Sequence, residues 1–331
     1  MNILCIGGTR FLGKHILRQL LEKKHSVSVF NRGHHNDHLP QGTKFYLGDR
    51  NQADDFLQLG NQKYDAVIDT CAYLPKQAEI AAQFFQERCE CYLFISTISV
   101  YRDFDCDEIT EEYPLAEWNG DWDKAVDNHT YGPYKAICEK IIANAFGNKS
   151  LIVRPGYIVG PDDYTDRFLY WPWRISRDKT MIVPDQDCLM QFIDVRDLSA
   201  FCIHLLEQKK NGIYNVTGPK EKLYFRHFLE ICLQTLHSST VFQKCPLEIL
   251  KQHGLLWNFP LWEPALPELR GSSQVNLSKA LKEQLAFRPL AQTILDSLDW
   301  HNSSRAKDYR IKTGLTEEQE KQCLSSLEIS Q

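Results

Sequence analysis

Residues 2–31 constrain the fold more than any other stretch. The apolar run Ile3-Leu4-Cys5-Ile6 is too short for anything but a buried strand. Gly7-Gly8-Thr9-Arg10-Phe11-Leu12-Gly13 follows at once, then a helical pattern with Ile16, Leu17, Leu20 and Leu21 on one face, then Val27-Ser28-Val29-Phe30. Strand, glycine turn, helix and strand make half of a dinucleotide-binding unit. Phosphate oxygens need backbone N–H groups at a helix N-terminus, and a side chain there would block close approach. Gly7 and Gly8 clear that approach, and Gly13 lets the helix pack on the strand. The usual spacing places another glycine at position 10, where Arg10 stands. Many strand-to-helix turns carry glycine, so the turn alone is weak; its place directly after a buried strand strengthens it.

The chain of 331 residues is long enough for one large domain or two ordinary ones, and its hydrophobic content of 43% is that of a globular protein. No apolar run approaches membrane-spanning length, and the start shows no charged region followed by an apolar stretch and a cleavage site. The net charge of -5 gives no global positive field for nucleic acid. The 11 cysteines are irregularly spaced. Cys5, Cys202 and Cys232 sit in apolar patterns, and Cys89-x-Cys91 lacks the spacing of a zinc or redox motif. A reducing cytoplasm is the expectation. His34-His35-Asn36-Asp37-His38 could bind a metal, but no other ligand spacing accompanies it; it reads as a solvated loop, and no metal site is expected.

The residues after the second strand bear on the cofactor. An NAD site usually places an acidic residue there for the ribose 2′-OH, and an arginine accommodates a 2′-phosphate. This chain has Asn31-Arg32-Gly33, with Arg10 as a second positive charge, which favours NADP over NAD. The plainer alternative for Arg32 is a solvated loop residue. Lys44-Phe45-Tyr46-Leu47 reads as a third strand, and Gly48-Asp49-Arg50 ends it. Asp49 could accept the adenine amino group or cap the next helix. Residues 64–69 and 91–95 read as strands four and five, with a helix over 77–85 between them. Strands alternating with helices predict a doubly wound parallel sheet of the Rossmann type. Residues 102–128 read as a long acidic, aromatic loop over the sheet's carboxyl edge.

A helix opens at His129-Thr130-Tyr131-Gly132-Pro133-Tyr134-Lys135. Residues 151–154, 191–194 and 212–216 read as further strands, with Asp197 a candidate cap for a helix over 198–206. Beyond Gly218 the pattern becomes mostly helical: 225–236, 247–253, 278–285, 290–300, and a capping box at Thr316-x-x-Gln319. The expected division is residues 1–160, completed by strands near 190–218, as the dinucleotide-binding domain. Residues 161–190 and 219–331 form a smaller substrate domain.

Tyr131 and Lys135 are one helical turn apart, hence on one face. A tyrosine is a poor acid or base at pH 7, and a nearby ammonium favours its phenolate. Lys135 could also hold the nicotinamide ribose, and Thr97 at the exit of strand five could hydrogen-bond the same substrate oxygen as Tyr131. Such a spacing occurs by chance in most chains of this length. The order of glycine turn, strand-five hydroxyl and Tyr-x-x-x-Lys is what raises it above chance. Tyr134, Trp171, Arg174, Trp257 and Trp262 are candidate pocket walls, with ordinary core packing the plainer alternative for each tryptophan.

The glycine turn, Ser96-Thr97-Ile98-Ser99-Val100-Tyr101, the Tyr131 to Lys135 piece, Arg154-Pro155 through Gly160-Pro161, and Gln191-Phe192-Ile193-Asp194-Val195-Arg196-Asp197 together resemble the extended short-chain dehydrogenase/reductase superfamily. Within it the chain is similar to the NAD-dependent epimerase/dehydratase group over residues 1 to about 220. Asn31-Arg32-Gly33, Gly48-Asp49-Arg50, the 166–172 piece and Phe287-Arg288-Pro289-Leu290 further resemble a bacterial branch labelled isoflavone-reductase-like, neighbouring the chloroplast stem-loop RNA-binding proteins. The resemblance implies Thr97, Tyr131 and Lys135 as the catalytic triad. It implies Gly7, Gly8, Thr9, Arg10, Phe11, Leu12 and Gly13 at the pyrophosphate, and Asn31, Arg32, Asp49 and Arg50 at the adenosine. Ala72 and Tyr73 would lie near the nicotinamide ribose, and Pro155, Gly156 and Tyr157 near the carboxamide. It also implies a homodimer.

The expectation is an NAD(P)-dependent oxidoreductase or epimerase acting on a hydroxyl or keto group of a nucleotide-sugar-like small molecule. The alternative is a dinucleotide-binding regulatory or RNA-binding module without turnover, against which the intact triad and the acidic balance both argue.

Overall fold

The apolar runs become strands of one parallel sheet. In the computed structural model, which describes residues 1–36, 39–122 and 125–329, β1 (Asn2–Ile6) leads through α1 (Phe11–Glu22) to β2 (Ser26–Asn31). There follow β3 (Lys44–Leu47), β4 (Ala66–Asp69), α2 (Pro75–Phe85), β5 (Tyr92–Ile95), α3 (Tyr131–Phe146) and β6 (Ser150–Pro155). Then come β7 (Tyr157–Val159), α4 (Tyr170–Ile175), β8 (Thr180–Pro184), β9 (Leu189–Met190), β10 (Phe192–Asp194), α5 (Val195–Glu207) and β11 (Gly212–Val216). The remainder is β12 (Leu223–Tyr224), α6 (Phe225–Leu236), β13 (Val241–Cys245), α7 (Leu247–Gln252), α8 (Ser278–Lys282), α9 (Leu290–Ser304) and α10 (Glu317–Ile329).

Seven strands pair in the order β11-β6-β5-β4-β1-β2-β3, all parallel. β1 runs beside β2 from Asn2 opposite Ser26 to Ile6 opposite Phe30, and beside β4 on its other edge. Ile3, Leu4 and Cys5 are fully buried, as a strand covered on both faces requires. One face packs against Leu12, Ile16, Leu17 and Leu20 of α1 and Leu198, Phe201 and Leu205 of α5. The other packs against Ala78, Ala82 and Phe85 of α2 and Ile142 and Phe146 of α3. The direction of winding reverses between β1 and β4, and that is where a crevice opens at the carboxyl ends. A second apolar cluster gathers Trp171, Phe225, Phe228, Leu250, Trp262, Ile294 and Cys323. It holds a parallel pair, β8 with β13, that the sequence patterns do not announce.

Two local expectations change. Asp194, not Asp197, caps α5, its carboxylate accepting from the Arg196 N–H at 2.8 Å. Asp197 lies in the first turn and binds the Arg288 guanidinium at 2.7 Å. Asp49 caps no helix: its carboxylate accepts from the Asn51 N–H (2.9 Å) and side-chain amide (2.7 Å), while Gln52 precedes the 3-10 turn Ala53–Leu59. The capping box at Thr316 and Gln319 forms reciprocally, at 2.9 and 3.2 Å. Of the histidine cluster, Asp37 and His38 lie outside the described residues. All 11 cysteines are unpaired. No helix among the described residues is long and apolar enough to cross a membrane.

The first turn of α1 meets the glycine turn main chain to main chain. A Cβ on Gly13 would sit 2.4 Å from the Gly8 Cα, backbone against backbone. Gly13→Ala should therefore destabilise the protein by about 2 kcal/mol or more, the cost of overpacking a rigid contact. Urea denaturation would read this, and an unchanged midpoint would mean that the helix shifts freely.

Candidate active site

The carboxyl ends of β1, β4, β5 and β6 open on a cavity of about 690 Å³, the size of a cofactor or small-molecule site. At one end lies the glycine turn. Gly7 and Gly8 hold φ of +88° and +79°, a backbone region costly for any other residue. α1 begins after Arg10 with no capping side chain and no acidic residue in its first turn. Among the described residues the Phe11 and Leu12 N–H groups have no acceptor, while the Gly13 N–H turns back to the Arg10 carbonyl (3.0 Å), and the helix dipole adds positive potential. That donor set fits a pyrophosphate, and all of residues 7–13 line the cavity. Asn31 braces the turn, donating to the Gly7 carbonyl (3.2 Å) and accepting from the Gly33 N–H (2.7 Å). Arg32 is exposed at the cavity rim and forms no ion pair among the described residues. Arg10 lies over the Tyr164 ring, 4.1 Å from its centroid.

Asp49 and Arg50 also line the cavity, but Arg50 is spent. Its guanidinium grips Asp69 through two bonds of 2.5 and 2.8 Å and donates to the Gln77 carbonyl. Burial by itself would raise the Asp69 carboxyl; the Arg50 charge, with hydrogen bonds from Arg50, the Cys71 N–H and the Tyr92 hydroxyl, holds it below the usual value. Arg50 is thus a floor for the site and not a free ligand group. Ala72 lines no part of the cavity; it is fully buried, and its carbonyl accepts from Lys135. Tyr73 does line it, its ring 6.3 Å from that of Tyr131.

Thr97, Tyr131 and Lys135 come together on one wall. Thr97 caps a 3-10 turn, Ile98–Val100, and accepts from the Ser99 N–H at 3.1 Å. The first turn of α3 presses on that turn: a Cβ on Gly132 would lie 2.1 Å from the Ser99 carbonyl oxygen. Only glycine allows this approach, and it sets Tyr131 beside Thr97. Lys135 is 3% exposed and donates to the carbonyls of Ile95 (2.6 Å) and Ala72 (2.9 Å), leaving one of its three N–H groups. Burial brings its pKa down to about 8.

The expected depression of the tyrosine by the lysine is not what the structure holds. Burial raises the Tyr131 phenol above its ordinary value, and the opposing pull comes from the Thr97 hydrogen bond and the charge of Arg167. The Lys135 ammonium is engaged by two carbonyls instead.

Pro155, Gly156 and Tyr157 line the cavity beyond the triad. The expected pocket walls do not. Trp171 and Trp262 are buried, their indoles donating to the carbonyls of Pro260 (2.7 Å) and Gln186 (3.0 Å). Arg174 binds Asp178 and Glu320, Trp257 is exposed, and Tyr134 is buried with its hydroxyl on the Asp121 carbonyl.

The real wall is Tyr164, Thr165 and Arg167 of the 160–169 loop, together with Glu263, Leu269 and Ser272. The 160–169 loop is pinned at both ends. Asp162 pairs with Lys14 of α1, and His15 contacts the Pro161 carbonyl at 3.1 Å. Asp166, fully buried, binds Arg305, the Tyr309 hydroxyl (2.8 Å) and the Lys312 N–H (3.0 Å). Between the pins Tyr164 meets Arg10 and Phe11, and just past the second Arg167 lies over the Tyr157 ring at 4.9 Å. Arg167 stood in a recognisable motif; Glu263, in a proline-broken aromatic segment, carried no pattern that would have placed it.

A family model described as NAD dependent epimerase/dehydratase matches residues 3–217. The Arabidopsis thaliana chloroplast stem-loop binding protein of 41 kDa b is 26% identical over 237 residues, which span 66% of this chain and 59% of that protein. Solved structures of similar fold include the Bordetella bronchiseptica enzyme WbmH in complex with NAD+, with a TM-score of 0.68, 16% identity, and 92% of this chain and 99% of that one covered. UDP-glucose 4-epimerase from Thermus thermophilus, complexed with NAD, has a TM-score of 0.64 at 18% identity, covering 92% of this chain and 100% of its own. UDP-glucuronic acid 4-epimerase from Bacillus cereus, also with NAD, has a TM-score of 0.65 at 17% identity, covering 91% and 99%.

The depressed Lys135 has a consequence for stability. Its folded pKa of about 8 lies below the ordinary 10.5. Between those values the unfolded chain binds more protons, so this group's contribution rises with pH across that window. Measured against Lys135→Met, the wild type should gain up to about 1.4 kcal/mol per pH unit from pH 8 to 10. Parallel denaturation curves for the two proteins at several pH values would show it. A difference that stays flat would mean that Lys135 titrates normally.

Proposed function

This chain belongs to the NAD-dependent epimerase/dehydratase family, and from that premise we propose that it exchanges a proton and a hydride at a hydroxyl or keto carbon of a nucleotide-sugar-like substrate. The observation that carries this reading is the convergence of Thr97, Tyr131 and Lys135 with the glycine turn on one cavity. Residues 7–13 would hold a nicotinamide dinucleotide by its pyrophosphate, with Lys135 placed to offer its remaining N–H to the ribose. The nicotinamide, when bound, supplies the hydride acceptor or donor.

The protein's own part is proton transfer. As a phenol, Tyr131 gives its proton to the substrate oxygen; only as a phenolate, after its own proton has left, can it take the substrate hydroxyl proton, while Thr97 hydrogen-bonds the same oxygen and orients it. Burial keeps the resting phenol protonated, so the ligand-free enzyme stands ready as the acid. A dinucleotide and sugar filling the cavity would exclude water and strengthen the field of Lys135 and Arg167 on the phenol. The segments 161–190 and 219–331 supply the substrate side. Free cysteines throughout suit a reducing cytoplasm.

For the cofactor, we favour NADP. Arg32 stands at the end of β2 without an ion-pair partner among the described residues, and no carboxylate occupies positions 31–33 to repel a 2′-phosphate. The NAD in the solved relatives is the competing case. The name of the plant relative favours a second reading, a stem-loop-binding module without turnover. Such a module needs no tyrosine acid, and the net charge of -5 offers little to phosphates.

Two outcomes follow from this reading. Tyr131→Phe should lower turnover of a sugar nucleotide that the wild type accepts by about a thousandfold, while binding of reduced nicotinamide by fluorescence titration stays intact. Turnover that survives the change, or tight salt-dependent RNA binding with no turnover at all, speaks for the module. In the same titration, Arg32→Ala should weaken NADPH about tenfold and leave NADH nearly unchanged. A wild type that prefers NADH overturns the cofactor assignment.

A further inference from the structure

The cavity extends past the triad to a wall that carries charge. Its other cations are engaged or remote. Arg50 is locked to Asp69, Lys135 to two carbonyls, and Arg10 lies on Tyr164 at the glycine turn. Arg32 stands at the opposite end, after β2. Arg167 differs from these. Its Nε donates to the Thr165 hydroxyl at 3.1 Å and its plane covers the Tyr157 ring, but among the described residues it has no carboxylate partner. Its two terminal nitrogens keep four N–H groups in a planar fork, the geometry that binds an oxyanion through two parallel bonds.

The acid on the same wall is also uncommitted to a cation. Glu263 accepts from the Tyr157 hydroxyl at 3.1 Å and the Ser272 hydroxyl at 2.6 Å, one donor on each oxygen. Lone pairs remain on both. Opposite charges sharing a cavity gain by pairing. Here Tyr157 stands between them, its face under the guanidinium and its hydroxyl on the carboxylate. A half-buried cation and a carboxylate held apart in this way are costly unless a ligand uses both. Arg167 also rides on the loop pinned by Asp162 and Asp166, so little freedom is lost when it binds. Arg167 and Tyr131 line the same cavity, and the charge of the one bears on the phenol of the other.

We infer that Arg167 and Glu263 recognise the reacting portion of the substrate: Arg167 binds an oxyanion, carboxylate or phosphate, carried on the ring at which Tyr131 works, and Glu263 accepts a hydroxyl of that ring. The inference rests on the catalytic reading above and narrows its substrate to an acidic sugar or a sugar phosphate.

Calorimetry on the full chain saturated with its preferred nicotinamide dinucleotide tests it with three matched pairs of probes: UDP-glucuronic acid against UDP-glucose, glucuronate against glucose, and glucose 6-phosphate against glucose. In at least one pair the anionic member should bind about tenfold or more tightly than its neutral counterpart. The pair that shows it separates carboxylate from phosphate. Arg167→Gln should bring that ratio to near unity, Arg167→Lys should restore part of it, and Glu263→Gln should weaken both members alike. Melting temperature and dinucleotide binding monitor the fold of each variant. Absence of any anion preference in all three pairs overturns the inference, as does a preference that survives Arg167→Gln. Such a failure with dinucleotide binding intact leaves the catalytic reading standing. Loss of that reading itself would show instead as absent dinucleotide binding or a Tyr131→Phe variant that still turns over.

Discussion

The buried pair of Arg50 and Asp69 organises the edge of the sheet on which everything else sits. Asp69 ends β4, Arg50 leaves β3, Tyr92 reaches the same carboxylate from β5 at 2.8 Å, and the guanidinium also holds the Gln77 carbonyl of α2. One charge pair thus ties together the exits of β3 and β4, the first residue of β5 and the first turn of α2. Its Coulomb gain does little more than offset desolvation, so its value lies in position more than in stability. Losing one partner alone would strand a buried charge, at about 3–5 kcal/mol. The pair also makes the floor of the cavity neutral. A ligand laid over it meets no repelling carboxylate, which matters for a molecule that brings phosphates of its own.

Upon this floor the reactive groups are placed by backbone contacts more than by side chains. Gly132 against Ser99 and Gly13 against Gly8 each bring two stretches of main chain closer than any Cβ would permit. Close packing of this kind has no slack, so the hydroxyls of Thr97 and Tyr131 keep their spacing without a dedicated brace. Lys135 is held just as firmly, but by carbonyls at the ends of β4 and β5. Its charge is spread into the sheet edge, which explains why it does not lower the phenol in the ligand-free protein.

What the chain discloses in advance follows the range of the interactions. The first unit, from β1 to β2, and the one-turn spacing of Tyr131 and Lys135 are local, and local periodicity reveals them. Partner choice is not local. Arg50 looked like a ligand group because a sequence shows a charge and not the Asp69 that consumes it. Asp197 reads as the cap of α5 because a sequence does not show the Arg288 that engages it, nor that the helix begins three residues earlier under Asp194. The wall opposite the triad escaped notice for the same reason. Arg167 and Glu263 lie far apart in sequence and meet only through Tyr157, and β8 and β13 pair across a gap filled by α5 and α6. Large aromatic residues near a suspected pocket misled in the other direction: Trp171 and Trp262 found buried carbonyls and joined the second core.

The 160–169 loop touches both ends of the cavity at once. Tyr164 leans on Arg10 and Phe11 beside the glycine turn, and three residues later Arg167 faces the triad. The pins at Asp162 and Asp166 hold both residues on one scaffold, independent of the Arg10 contact. One short stretch of chain thus serves as a shared border, with an aromatic ring on the side of the glycine turn and a guanidinium on the side of Tyr131.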